Sequence, residues 1–253
     1  MLPTLQLGPL ALQVPGLVLL AGLWVGLTLS ERRARRKGEN PGDLYNLVFI
    51  ALIAGIIGAR LSYAITYPSA FAANPLSLLS INPGLFDPLA GVFIGICAAA
   101  IYIYRKQLHF WSTLDALTPL FAVLAIAQGI AHFAAGSAFG SPTDLPWGIN
   151  LWGATRHPTQ IYEILLAAII LLAVYLIDKS QLGQTSGFTF LSFIALSASA
   201  RLFSEAFRGD SALIGNGFRS AQIISWLVLA ACLALLGRRI QLARSTEKTS
   251  QGD

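Results

Sequence analysis

The stretch Arg156-His157-Pro158-Thr159-Gln160-Ile161-Tyr162-Glu163 stands at the head of a long apolar segment, and the interpretation of the whole chain starts from it. Residues 164–177, which follow it, are apolar enough to lie in a bilayer. Proline is tolerated at the first position of a helix, so Pro158 is predicted to begin a membrane helix. The N–H groups of the next three residues would then point out of that helix end, beside an arginine and a histidine. Such an end attracts anions, and the stretch therefore predicts an anion site at a membrane surface, of the kind that a lipid phosphate would fill.

The composition places the chain in a membrane. Hydrophobic residues make up 55% of it and charged residues 11%, and the mean hydropathy is +0.65. The net charge of +5 does not indicate nucleic-acid binding, because the basic residues cluster beside apolar runs, as in cytoplasmic loops. Cys97 and Cys232 lie inside apolar runs without paired spacing, so no metal site or disulfide framework is predicted.

Seven apolar runs have about the 20 residues that a spanning helix needs. The prediction is an all-α, polytopic integral membrane protein that forms one transmembrane domain over residues 1–253, with a disordered tail over 243–253. Two Gly-x-x-x-Gly pairs, Gly22 with Gly26 and Gly91 with Gly95, predict close helix packing. The predicted spans are 10–29, 44–66, 86–104, 114–135, 158–177, 187–207 and 220–237.

Lysine and arginine residues are concentrated on one side of these spans. Of the 17, twelve lie in loops 30–43, 105–109 and 178–186 or in the tail 238–253. Since cytoplasmic loops carry an excess of basic residues, the N-terminus is predicted to lie outside and the C-terminus in the cytoplasm. An odd number of spans agrees with this orientation.

Charged side chains inside apolar spans are costly and require a partner or a function. Arg201 and Glu205 are four residues apart, so they lie on one helix face, where they can pair with each other or hold a ligand together. The alternative for them is an ion pair that only fixes helix packing, and for Arg60 it is extension to the lipid headgroups. Several guanidinium groups on one side suit a phosphate. The residues that the predicted topology brings toward the outer leaflet are Arg60, Arg156, His157, Glu163, Arg201, Glu205 and Arg208.

The opening stretch resembles the Arg-His-Pro-Ser/Thr-Gln-Leu/Ile-Tyr-Glu motif of the prolipoprotein diacylglyceryl transferases. Three further places resemble that family, in the same order along the chain: Gly58-Ala59-Arg60-Leu61, Thr143-Asp144-Leu145-Pro146-Trp147, and Arg201-Leu202-Phe203 with the acidic and basic residues that follow. The resemblance implies an enzyme with seven spans and an outer N-terminus, embedded in the cytoplasmic (inner) membrane of the cell. This matches the topology predicted from the charges.

Enzymes of that family move the diacylglyceryl group of phosphatidylglycerol onto the lipobox cysteine of a prelipoprotein and release glycerol phosphate. The resemblance therefore implies phosphatidylglycerol, prelipoprotein signal peptides and membrane lipids as partners, with no cofactor. The chemistry needs a group that accepts the thiol proton and positive groups on the departing phosphate. The predicted catalytic residues are His157, Glu163 and Glu205, which the resemblance implies, and His132, which departs from the family pattern and is a candidate for its missing charge or base. Those that the resemblance implies for binding substrate or phosphate are Arg60, Arg156, Gln160, Tyr162, Arg201, Arg208 and Gly140.

The chain departs from the family pattern in the fourth predicted span and the loop after it. Gly129 stands where the family has an arginine, His132 replaces an asparagine and Ser137 replaces a glutamate, whereas the closing Gly140 matches. Glycine supplies neither the charge nor the reach of arginine. Either His132 provides the missing charge or base, or the protein is a non-catalytic relative that binds phospholipid or prelipoprotein. An anion transporter fits poorly, because the charges gather at one face and no repeat is present.

Overall fold

The computed structural model describes residues 3–7, 10–73, 75–80, 82–214 and 217–250, and most of this part of the chain is helical. Within these described residues, six helices are long and apolar enough to cross a membrane, so the chain is a polytopic, multi-pass membrane protein. In chain order, the helices of this part are α1 (Val14–Lys37), α2 (Pro41–Thr66), α3 (Pro68–Ala73), α4 (Pro88–Arg105), α5 (Phe110–Ala135), α6 (Thr159–Lys179), α7 (Phe188–Glu205) and α8 (Ser220–Ser250). The six that can cross a membrane are α1, α2, α4, α5, α6 and α8.

Three short antiparallel hairpins interrupt the helical pattern. They pair β1 (Thr4–Leu7) with β2 (Leu10–Gln13), β3 (Ile149–Leu151) with β4 (Ala154–Arg156), and β5 (Leu213–Ile214) with β6 (Phe218–Arg219). Short 3-10 turns lie at Pro75–Leu79, Pro83–Leu85 and Leu182–Gln184.

Helix boundaries differ from the prediction at both ends of the chain. Residues 10–13 of the first predicted span form β2, and α1 then continues to Lys37 through most of the predicted basic loop. At the other end, helical backbone continues to Ser250; residues 251–253 lie outside the described part, and the disordered tail stays a prediction. Arginine, glutamine, leucine, alanine, glutamate and lysine are good helix formers, so a helix already formed in the span extends through them.

The sixth predicted span forms α7, which is 18 residues long. It falls outside the set of six because Arg201, Glu205 and four serines lower its hydropathy. The count of seven crossing helices and the orientation of the termini stay predictions. The chain divides into two compact units, one of residues 34–113 and one of residues 1–33 with 114–253; each is described separately below.

The smaller unit is built on α2 and α4, whose backbones approach at glycines. A Cβ atom on Gly91 would lie 2.9 Å from Gly55 O, and one on Gly95 would lie 2.9 Å from Ala51 O. This confirms the close packing predicted from the second glycine pair.

Asp87 caps the start of α4. Its Oδ1 accepts hydrogen bonds from the N–H groups of Leu89 (3.1 Å) and Ala90 (3.2 Å), and its Oδ2 accepts one from the Ser62 hydroxyl (2.9 Å). Hydrogen bonds to the charged form favour it. The bonds from Ala90 and Ser62 contribute most, with a smaller one from Leu89, and they lower the pKa of the Asp87 carboxyl against partial desolvation.

The larger unit has its core among α5, α6 and α7, where Ala122, Ile170, Val174 and Phe193 form a buried cluster. The first glycine pair brings α1 against α5: a Cβ on Gly22 would lie 2.5 Å from the Ala127 Cβ, and Gly26 approaches Leu120 nearly as closely. The prediction of close packing is thus confirmed here too.

Asp115 of α5 fixes the start of α7. Its carboxylate accepts hydrogen bonds from the N–H groups of Gly187 (2.6 Å) and Phe190 (2.7 Å). This contact and the buried cluster hold α5, α6 and α7 together around the site described next.

Candidate active site

The start of α6 differs from the prediction in its backbone. The helix begins at Thr159 with Pro158 at the N-cap, and the N–H groups of Thr159 and Ile161 donate to His157 O and Pro158 O, each at 2.9 Å. The predicted group of free N–H donors is therefore wrong for these two residues, because the chain turns tightly enough at Pro158 for nearby carbonyls to accept them. Positive charge at this end of α6 comes from side chains.

The sequence motif is bound tightly to the loop before it. The Thr159 hydroxyl donates to Ala138 O (2.6 Å) and the Gln160 Nε2 donates to Ser137 O (2.9 Å), and both side chains are fully buried. A Cβ on Gly140 would overlap the backbone of His157. Gln160 and Gly140 thus position the motif through contacts within the protein.

Glu163 is the centre of the charged cluster. Its Oε1 lies 3.1 Å from Arg208 Nη1 and 3.3 Å from Arg201 Nη1, and its Oε2 lies 3.0 Å from His132 Nδ1. The side chain is 15% exposed. A single acid from the second turn of α6 therefore holds groups from α5, from α7 and from the loop after α7.

Glu205 forms the second acidic contact. Its Oε2 lies 3.0 Å from Arg201 Nη2, one turn earlier on α7, and 3.9 Å from Arg208 Nε. This confirms that Arg201 and Glu205 share a face. Arg208 is also held by Asp210, whose Oδ1 lies 2.9 Å from its Nε and Nη2. The side chain of Arg201 is 38% exposed and that of Arg208 only 11%, so Arg201 is the more accessible guanidinium.

His132 completes the cluster from α5. Its Nε2 lies 2.7 Å from Gln128 Nε2, and its Nδ1 faces Glu163. In this orientation the amide donates to Nε2 and Nδ1–H donates to the carboxylate, which describes a neutral imidazole. If the amide is rotated by half a turn, its oxygen accepts from a protonated Nε2. The surroundings therefore accommodate both the neutral imidazole and the imidazolium.

A cavity of about 190 Å³ opens beside this cluster, between α5, α6 and α7. Its charged end is formed by His132, Glu163 and Arg201, and the rest of its wall is mainly apolar. Gly129 also lines it and packs against α6, since a Cβ there would lie 2.8 Å from Ile164 Cγ1. The other lining residues are Ala125, Gln128, Leu166, Ala167, Ile170, Ser197, Ala200 and Ser204.

His157 and Tyr162 lie in a separate aromatic cluster beside the charged one. The His157 ring packs on Phe207 with centroids 5.1 Å apart, and its Nδ1 is 3.5 Å from the Tyr162 hydroxyl. That hydroxyl accepts a hydrogen bond from Trp147 Nε1 (2.9 Å). Tyr162 and Phe207 each precede a member of the charged cluster in sequence, so the two clusters are adjacent along both chain segments.

Arg156 lies apart from the carboxylates. Its Nε donates to Leu151 O (3.0 Å) and its Nη1 to Gly140 O (3.3 Å), and the guanidinium lies over the Phe139 ring at 5.0 Å. It joins the hairpin β3–β4 to the loop before α6. The Arg156 guanidinium thus keeps a positive charge near the motif, and it donates its hydrogen bonds to backbone carbonyls.

Arg60 belongs to the smaller unit and is buried there. Its guanidinium donates to Leu85 O (2.7 Å) and to Ser77 O, and it lies between the rings of Phe71 and Phe86. Backbone carbonyls and aromatic faces thus surround the group within the described residues, and its predicted role in phosphate binding stays a prediction. Arg60 holds the segment between α2 and α4.

Sequence reasoning did not single out several polar residues of the larger unit that contact or line the site, among them Gln128, Ser197 and Asp210. Gln128 and Ser197 lie one helical turn before His132 and Arg201, and Asp210 lies two residues after Arg208. The helical spacing was a usable signal for the first two. Asp210 lies in a loop, where no periodicity indicates a contact.

The long apolar helices and an amphipathic cavity with arginine at one end define the class of the protein: an integral membrane protein whose site suits an anionic amphiphile. Comparison with known families makes the assignment specific. The chain belongs to the prolipoprotein diacylglyceryl transferase family, whose sequence model matches residues 3–238.

Relatives of this family match most of the chain. One from Solidesulfovibrio magneticus is 36% identical over 72% of this chain and 73% of its own length. Another from Clostridioides difficile is 30% identical over 83% of this chain and 84% of its own. A third from Bordetella parapertussis is 28% identical over 95% and 94%. All three are named phosphatidylglycerol–prolipoprotein diacylglyceryl transferase.

Proposed function

We propose that this protein transfers the diacylglyceryl group of phosphatidylglycerol to the lipobox cysteine of prelipoproteins. The observation that carries the proposal is the cavity between α5, α6 and α7, because its accessible Arg201 stands over a mainly apolar wall. A phosphoglycerol headgroup and the start of its acyl chains have the same distribution of polar and apolar chemistry. Family membership and the names of the relatives support the reaction.

Arg201 binds the lipid phosphate in this proposal, and Arg208 adds positive charge behind it. Glu163 and Glu205 orient the two guanidiniums from opposite sides, so that little reorganisation is needed when the phosphate departs. Arg156, Gln160, Tyr162 and Gly140 then act on the substrate indirectly. The site would be misaligned without them, since they fix the start of α6.

His132 supplies the charge that the family places on arginine. Within the described cluster, three carboxylates, those of Glu163, Glu205 and Asp210, face the two arginines. An imidazolium at His132 balances the third carboxylate and makes room for the phosphate charge. Glu163 Oε2 lies 3.0 Å from the His132 Nδ1, and the Gln128 amide can turn so that its oxygen accepts a hydrogen bond from Nε2–H.

His157 takes the proton of the cysteine thiol. The thiolate then attacks the glyceryl carbon that bears the phosphate, a C–S bond forms and the C–O bond to phosphate breaks. The released glycerol phosphate carries the electron pair away, and Arg201 stabilises its charge. Phe207 and Tyr162 hold the imidazole in place.

The site is expected at the outer face of the cytoplasmic membrane, in a protein of seven crossing helices with an outer N-terminus. The basic residues at the end of α1 support this orientation, because the positive-inside rule places that end in the cytoplasm. If each long helix then crosses once, α5 and α7 end at the outer face and α6 begins there, and this is where the charged cluster is formed. Prelipoprotein signal peptides reach the site from within that membrane, as does phosphatidylglycerol.

The test is lipid transfer by the purified protein from phosphatidylglycerol to a lipobox peptide. We expect product from the wild type, a loss of at least about tenfold in Arg201→Gln and His157→Gln, and little change in Arg219→Gln. Arg219 is a matched control, because it lies in β6 and contacts Ser211 instead of the cluster. Phosphatidylglycerol binding without any product would support the non-catalytic alternative suggested by Gly129 and Ser137.

A further inference from the structure

A serine that lines the cavity, Ser197, has a buried hydroxyl group without a hydrogen-bond partner among the described residues. Two other serines of α7 behave differently, because the Ser199 hydroxyl donates to Ala195 O (2.9 Å) and the Ser204 hydroxyl donates to Arg201 O (3.3 Å). Serine in a helix commonly bonds back in this way. A buried hydroxyl without a partner is costly, so a ligand acceptor would explain it.

The position of Ser197 relative to Arg201 defines what that acceptor is. The two residues are four apart on α7, so they share a face and are separated by about 6 Å along the helix axis. A glycerophospholipid whose phosphate contacts Arg201 carries its acyl ester carbonyls deeper, separated from the phosphate by the glycerol backbone. One helical turn is comparable with that separation.

The other polar side chain that lines the cavity one turn from the charged cluster is Gln128, whose amide lies 2.7 Å from His132 Nε2. The apolar residues that line the cavity there are Ala125, Leu166, Ala167, Ile170 and Ala200. An ester carbonyl buried among them without a donor would lose its hydrogen bond to water. Of the two polar residues, Gln128 and Ser197, the second is the one whose polar atom has no hydrogen-bond partner within the described residues, so it is the donor left to satisfy the carbonyl.

We infer that the Ser197 hydroxyl donates a hydrogen bond to an acyl ester carbonyl of the lipid bound in the cavity. The inference rests on the proposed function, since it requires a phospholipid with its phosphate at Arg201. It adds a second recognition point: Arg201 selects the anionic headgroup, and Ser197 selects a lipid whose chains are esters instead of ethers.

The experiment compares diester phosphatidylglycerol with its diether analogue, which lacks both carbonyls, in binding to the purified full-length protein. Ser197→Ala should weaken binding of the diester about threefold to tenfold, the usual range for one neutral hydrogen bond, and leave the diether unchanged. Ser197→Thr keeps the hydroxyl and should keep most of the preference for the diester. Ser199→Ala is the matched control, because that hydroxyl is already satisfied by Ala195 O.

A Ser197→Ala protein that binds both lipids as the wild type does, or loses affinity for both equally, would overturn the inference. Its melting temperature without lipid should not fall, because the hydroxyl has no partner to lose; a fall would show a structural role and count against us. Failure of the proposed function has a different signature. In that case the wild type itself would not bind diester phosphatidylglycerol in an Arg201-dependent manner, and the inference would fall with it.

Discussion

Replacement of Glu163 by glutamine removes the one carboxylate that His132, Arg201 and Arg208 share. The shape of the side chain is kept, and only the charge and one acceptor are lost. If Glu163 organises the site, this change should destabilise the protein and reduce transfer together. If the cations are held mainly by Glu205 and Asp210, it should do neither.

The size of the effect follows from the exposure of each contact. The Arg201 contact counts least, about 0–1 kcal/mol, because 38% of that side chain is exposed and solvent screens the pair. The Arg208 side chain is only 11% exposed, and a hydrogen bond between charged groups contributes about 1.5–3 kcal/mol. The His132 contact adds less than the Arg208 contact. The expected loss in the free energy of unfolding is therefore roughly 2–4 kcal/mol, which corresponds to about 5–15 °C in melting temperature for a chain of this size.

The assay is thermal unfolding of the purified variant in one detergent, beside Asp144→Asn as a control that removes an exposed loop carboxylate. Transfer activity is measured on the same samples at a temperature where both are folded. A Glu163→Gln protein as stable and as active as the control would refute the claim that Glu163 is the centre of the cluster.

Two further predictions concern packing and capping. Gly129→Ala should cost about 1–3 kcal/mol by overpacking, because its Cβ would lie 2.8 Å from Ile164 Cγ1; the cost should shrink in an Ile164→Ala background, and Gly16→Ala, where no atom lies within 4 Å, should cost nothing. Equal melting temperatures of the Gly129 and Gly16 variants would contradict this. Asp87→Asn should lower stability at neutral pH, and the difference from the wild type should shrink as the pH falls from the unfolded-state pKa through the lower folded-state pKa. The sign follows from the lowered pKa of Asp87, whose stabilisation is present above the unfolded-state pKa and is lost as the pH falls through the folded-state pKa; a difference in thermal unfolding that does not change at all as the pH is lowered would show that the cap does not depend on ionisation.

Gly129 also bears on the departure from the family pattern. An arginine at this position would have to displace Ile164, whose backbone N lies 3.2 Å from the Cβ that glycine lacks. The contact between α5 and α6 is thus built around glycine. A single substitution cannot restore the family residue without shifting that contact, which is why the charge at His132, one turn away, carries the compensation in our proposal.

The membrane class and most helices could be predicted from the sequence, because long apolar runs and glycine spacing depend on local composition. The pairing of Arg201 with Glu205 was also predictable, since both lie on one helix four residues apart. The contact of Glu163 with Arg208 was not, because it joins α6 to a loop 45 residues later and depends on how α6 and α7 pack.

The start of α6 was mispredicted for a related reason. Helix propensity places proline at the first turn, but whether the neighbouring N–H groups stay free depends on carbonyls brought close by the turn at Pro158. The surroundings of Arg60 could not be predicted either: Phe71 and Phe86 come from the segment between α2 and α4, and sequence gives no period for such a segment. Motifs identified these residues as important without distinguishing contact with a ligand from contact within the protein.

The central claim is that this site forms a thioether between a diacylglyceryl group and a lipobox cysteine. The most direct measurement is the intact mass of a lipobox peptide after incubation with the purified protein and phosphatidylglycerol, beside a peptide with serine in place of cysteine. We predict a mass increase of one diacylglyceryl group on the cysteine peptide alone, with release of glycerol phosphate and loss of the product in Arg201→Gln. An unmodified cysteine peptide with correctly folded wild-type protein, or a product formed by Arg201→Gln at the wild-type level, would contradict the account.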